Sequence, residues 1–136
     1  MRKLLALGSI GFLGLVAAPA LAHHSAAMFD ESKTITLGGT VKEWQYTNPH
    51  SWLELVVTDP SGKLVQWSLE SESPALLIRR GIKYNSMQPG EKVTVTAHPM
   101  RDGRPGGSML TVTKEDGTLV GRPMPAAGGG QAKPTT

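Results

Sequence analysis

Thr34-Ile-Thr-Leu-Gly-Gly-Thr-Val-Lys-Glu-Trp-Gln-Tyr46 is the run on which the fold turns. Ile35 and Leu37 alternate with Thr34 and Thr36, as a half-buried strand requires. Gly38-Gly39 interrupts the alternation. Val41 keeps the earlier parity, whereas Trp44 and Tyr46 have switched. A parity change at a glycine pair predicts a bulge or sharp bend, by which one long strand passes from one sheet face to another.

Asn48-Pro49 marks a turn after this strand. A second strand is expected over 51–58, with Leu53, Leu55 and Val57 on one face and Trp52, Glu54 and Val56 on the other. Asp59-Pro-Ser-Gly62 has turn chemistry, so the third strand, Leu64 to Glu70, forms a hairpin with the second. Its inward residues are expected to be Val65, Trp67 and Leu69.

A short helix follows. Ser73 is placed as its N-cap, Pro74 as its first residue and Gly81 as its stop. Leu76, Leu77 and Ile78 supply its apolar content. About two turns of helix do not hold alone in water, so this one must plug something. Pro89-Gly90 leads into a fourth strand over 91–98, and a loop over 101–107 leads into a fifth over 108–114, with Leu110 and Val112 inward. Asp116-Gly117 makes a further turn, and Thr118 to Val120 can add a last short pairing.

The order is three strands, a short helix and two strands, with a long bent first strand. That predicts an all-β fold, a small five-stranded OB-like barrel with one short helix between strands three and four. A plain β-sandwich with an incidental helical turn is the alternative. In an OB-fold, ligands meet the face of strands two and three and the loops joining strands one to two and four to five.

Residues 1–22 have the pattern of a secretory signal peptide. Arg2 and Lys3 precede an apolar run from Leu4 to Val16, and Ala20-Leu21-Ala22 is a small-x-small cleavage pattern. Cleavage is placed after Ala20 or after Ala22. The run is too short to remain as a membrane anchor, so a periplasmic or secreted protein is expected. The domain is expected over 23–120. The tail over 121–136, rich in Pro, Gly, Ala, Gln and Thr, is too poor in apolar residues to order itself.

The whole chain carries 14 basic and 11 acidic side chains. Loss of Arg2 and Lys3 leaves twelve against eleven, so the basic balance does not point to nucleic acid. There is no cysteine. A disulfide framework and a lipoprotein anchor are therefore excluded, and stability has to come from packing.

Several stretches together resemble a group of small exported bacterial proteins of unknown function. They are His23-His24-Ser25 after the signal, Asn48-Pro-His-Ser-Trp52, the helix Ser73-Pro-Ala-Leu-Leu-Ile-Arg-Arg-Gly81, and Pro89-Gly-Glu-Lys-Val93. The resemblance covers about residues 22 to 120. It implies export and a compact β domain, and it transfers no catalytic residue.

All four histidines are expected at loops, termini or strand ends. With cleavage after Ala22, the terminal amine and imidazole of His23 can chelate one metal ion, or the amine, an amide nitrogen and the His24 ring can do so. Cleavage after Ala20 puts His23 third, which also suits Cu(II) or Ni(II). Such nitrogen-rich sets favour copper over zinc. His50, in the loop between strands one and two, and His98, near the loop between strands four and five, are the candidates to complete the site. The competing reading is a solvated terminus and a His50 ring that only caps the Asn-Pro turn.

Met100, two residues after His98, can offer sulfur to Cu(I), although methionine more often fills packing gaps. Asn48 and Trp52 are candidate ligand-binding residues, with Trp52 facing outward as a stacking surface. Trp44, Tyr46 and Trp67 are grouped with it on the strand two/three face. Glu70, Glu72, Arg79 and Arg80 read as surface pairs of small worth.

The protein is therefore expected to bind rather than to catalyse, as a monomer of one domain. Its expected ligand is a metal ion, copper first, or a small envelope ligand. A structural or adaptor domain working through the Trp52 face, without metal, is the other reading.

Overall fold

A computed structural model describes residues 25–122. Five strands, β1 (Ile35–Gln45), β2 (Trp52–Thr58), β3 (Leu64–Glu70), β4 (Lys92–Pro99) and β5 (Gly106–Lys114), close into a barrel in the order β1-β2-β3-β5-β4. Two short helices, α1 (Ser25–Met28) and α2 (Pro74–Arg79), complete the element order, with α2 between β3 and β4. This is the OB-like barrel.

Strand β1 closes the barrel by serving two neighbours. Ile35 to Thr40 pair with β4, and Thr40 to Gln45 pair with β2. The bend and the parity change turn out to be separate devices. At Gly39 a Cβ would lie 2.6 Å from the Val56 carbonyl oxygen and 2.8 Å from Leu55 Cγ, so only glycine allows the two strands so close. The register break falls later, between Val41 and Glu43, where Lys42 is the extra residue. That bulge turns Trp44 toward the core although its parity differs from that of Val41.

A second bulge corrects the expectation for β5. Thr96 pairs with Thr111 but Ala97 pairs with Met109, leaving Leu110 without an opposite residue. Met109 and Val112 are therefore the buried pair, and Leu110 is only half-buried.

The core collects Leu37, Val41, Leu53, Leu55, Leu69, Val95 and Val112 inside the barrel, with Leu77, Ile82 and Met87 buried against them. Of the helix leucines and isoleucine only Leu77 is buried, while Leu76 and Ile78 are exposed. Ser73 occupies the N-cap position in extended backbone but makes no side-chain cap bond; its carbonyl instead accepts from the Leu76 and Leu77 amides. Gly81 takes φ 82° just past the helix, a conformation that glycine adopts without strain.

Trp44 and Tyr46 fasten α2 and the segment after it. Trp44 Nε1 donates to the Lys83 carbonyl at 3.1 Å, and the Tyr46 hydroxyl lies 3.0 Å from the Pro74 carbonyl and 3.2 Å from that of Ile82. These rings and Trp67 pack on the core, so they do not share an outer face with Trp52. The last expected pairing is present as a bridge between Thr113 and Leu119, with the Val120 amide donating to Val112.

Residues 27–33 form a strap on the barrel. Phe29 bridges to Met100, flanked by bonds from the Asp30 amide to Pro99 (2.8 Å) and from the Arg101 amide to Met28 (2.9 Å). Phe29 is 5% exposed. A large ring that can leave water by lying along a strand end does so.

Candidate functional site

The turn between β1 and β2 is locked to the chain leaving β3. The Ser51 amide donates to the Glu72 carbonyl, and the Ser71 amide donates to the Ser51 carbonyl. Thr47 Oγ1 donates to the His50 carbonyl at 3.1 Å. The Asn48–Pro49 bond is cis. These contacts set the His50 ring over the end of β3.

His50 Nδ1 lies 2.6 Å from Glu70 Oε1 and 3.2 Å from the Ser71 carbonyl. Both neighbours are acceptors, so Nδ1 donates, and in the neutral ring Nε2 is the nitrogen that keeps a lone pair. The His50 side chain is 42% exposed and that of Glu70 only 7%. Burial pushes the Glu70 carboxyl above its ordinary range, and the neighbouring His50 partly opposes that rise.

The pair stands at a cleft of about 360 Å³, whose walls include Phe29, Glu31, Pro49, Ser71, Leu76 and Ser108. Ser71 Oγ is buried with no hydrogen-bond partner. The cleft lies on the outer face of the barrel. Trp52, Glu70, Ser108 and His98 are in register across β2, β3, β5 and β4, each next to an inward residue. The strap passes over this row, since Phe29 and Glu31 line the same cleft as His50.

His23 and His24 lie outside the described residues, as do the proposed signal peptide and most of the tail. His50 is in the cleft. His98 is not among the residues that line it; its Nδ1 donates to the Lys33 carbonyl at 2.6 Å and so helps to hold the strap. Asn48 is exposed beside the turn. Trp52 lines a different pocket, on the far side of Phe29. Among the described residues no three His, Cys, Asp or Glu side chains are grouped closely enough to hold a metal ion, and no helix is long and apolar enough to cross a membrane.

Glu70 and Phe29 are the residues of the cleft that sequence reasoning missed. The hairpin register could have found Glu70, because the turn over 59–62 sets it opposite Trp52, two residues from His50. Glu72 is also no surface pair: its carboxylate meets Arg80 at 2.8 Å, with the two side chains 22% and 11% exposed. Arg80 donates further to the Leu110 and Arg122 carbonyls.

A family model described as a family of unknown function, DUF6152, matches residues 12–109. No curated protein matches the chain. Among solved structures, the crystal structure of the mitochondrial single-stranded DNA-binding protein Rim1 from S. cerevisiae is similar at a TM-score of 0.40 and 11% identity, over 66% of this chain and 96% of that one.

Proposed function

We propose that this chain, which belongs to the DUF6152 family of unknown function, is an exported binding module that holds a divalent transition metal, copper(II) first, at the His50 cleft. The observation that carries this reading is the 2.6 Å contact between His50 Nδ1 and Glu70 Oε1. A carboxylate on one ring nitrogen fixes the tautomer, orients the ring and makes the other nitrogen a better donor, which is the usual setting of a metal-binding imidazole. One imidazole is not a site. His23 and His24 precede the strap by a few residues, and the strap runs past His50. With cleavage after Ala20 or Ala22 the terminal amine and these rings add the nitrogen donors that copper(II) favours. Ser71 Oγ, buried and unpartnered, leaves a hydroxyl for a metal-bound water.

The test is titration of the mature protein with Cu(II), followed by NMR. The His50 ring and the Phe29 ring should broaden together at one equivalent, and His50→Ala should abolish the effect on Phe29. A His50 signal that stays sharp at stoichiometric copper, while only the terminal residues broaden, removes His50 from the site. A metal-free adaptor that uses Trp52 is the other reading. It requires a small ligand that raises the melting temperature without metal.

A further inference from the structure

Five methionines follow the expected cleavage site, and the structure divides four of them into two kinds. Met87 and Met109 are each 1% exposed and fill the core. Met28 is 42% exposed and Met100 is half-buried, and both open onto one pocket of about 270 Å³. Its other walls include Phe29, Trp52, Pro105 and Gly106.

The backbone brings the two thioethers to this place from residues 72 positions apart. The bonds that flank the Phe29–Met100 bridge hold the end of α1 against the end of β4. Gly106 leaves space for Met100: a Cβ there would lie 3.3 Å from Met100 Cγ and 3.9 Å from its sulfur. Arg104 also borders the pocket, and its Nε is tied to the Asp102 carboxylate at 2.7 Å.

We propose that this pocket binds a soft monovalent d10 cation, Cu(I), through the sulfurs of Met28 and Met100 with the Trp52 indole against the ion. Thioethers are soft donors that select Cu(I) over hard or strongly hydrated cations. Apolar walls add to that selection, because they offer a hydrated divalent ion nothing in place of its water. The face of an indole attracts a cation by its quadrupole. The donors differ from those of the His50 cleft, and Phe29 is the wall between the two places. This inference does not depend on copper(II) binding at His50.

Ag(I) is the probe, because it has the same d10 configuration without redox chemistry. The mature protein, labelled at the methionine methyls, is titrated with Ag(I). One equivalent should shift the Met28 and Met100 methyl signals and leave those of Met87 and Met109 in place. The accompanying tryptophan quenching should be absent from Trp52→Phe. Met28→Leu with Met100→Leu, a change of similar volume, should weaken Ag(I) binding at least tenfold at an unchanged melting temperature. His50→Ala should leave all of this intact. If Ag(I) binds without moving the Met28 and Met100 methyls, or does not bind at all, the pocket is packing space and the proposal is wrong.

Discussion

Glu70 carries a carboxylate into a place that disfavours its charge, and His50 is the partner that compensates it. A raised carboxylate pKa means that the folded state holds the proton more tightly than the unfolded chain. The stability this confers is fullest below the ordinary carboxylate range and is lost as pH rises through the raised value. Glu70→Gln removes that dependence. Its denaturant midpoint should vary less than wild type across the acid range and should not fall below wild type at neutral pH. The same variant keeps an acceptor for Nδ1–H but loses the charge that strengthens Nε2. Calorimetry should show Cu(II) affinity reduced about 10-fold, and about 100-fold in Glu70→Ala, the range found when the partner of a metal-binding histidine is lost.

The strap and the barrel it covers are separate elements joined by few contacts. Phe29 supplies the apolar part of that joint, and Phe29→Ala should cost about 3 kcal/mol of unfolding free energy by denaturant titration. It should also merge the two outer pockets. The Asp30 amide donates to the Pro99 carbonyl across that joint, and within the strap the Asp30 carboxyl is lowered from 3.8 to about 2 by the hydroxyl of Ser32 and then by Lys33. A depressed carboxylate stabilises above its ordinary pKa and stops doing so as pH falls through the depressed one. The NMR signals of the Phe29 ring should therefore hold their positions at pH 3.8 and move as pH approaches about 2. The helix α2 is the opposite case. The Tyr46 hydroxyl lies against its first carbonyl and that of Ile82 beyond its end, and Leu77 anchors it in the core, so its behaviour belongs to the core.

The barrel as a whole is unevenly sealed. Strands β2 and β3 pair over seven residues, and so do β4 and β5, whereas β3 and β5 meet over three, Ser68–Gly106, Leu69–Gly107 and Glu70–Ser108. The shortest ladder has the fewest bonds to break, so the barrel should open there first. Amide hydrogen exchange should find the strand amides of this seam the least protected, and those of Leu53, Leu55 and Val95 among the most. Glu70 and Ser108 sit on that seam and line the His50 cleft, so an ion bound in the cleft should raise protection at the seam.

The strand alternation, the turns at Gly62, Gly90 and Gly117 and the stop at Gly81 were all readable in the chain, and together they implied an OB-like barrel. Such features depend on a few adjacent residues: a period of two for one buried face, a positive φ that glycine accepts. Leu53, Leu55 and Leu69 entered the core as the alternation implied, but the faces taken by Trp44 and Leu110 were not readable, because the bulges at Lys42 and Leu110 each shift a strand by one residue, and a one-residue shift exchanges its faces. A bulge is placed by the partner strand and not by the bulged one. The joining of His50 to Glu70, and of Phe29 to Met100, likewise followed from closure of the barrel, which sets residues 20 and 71 positions apart side by side.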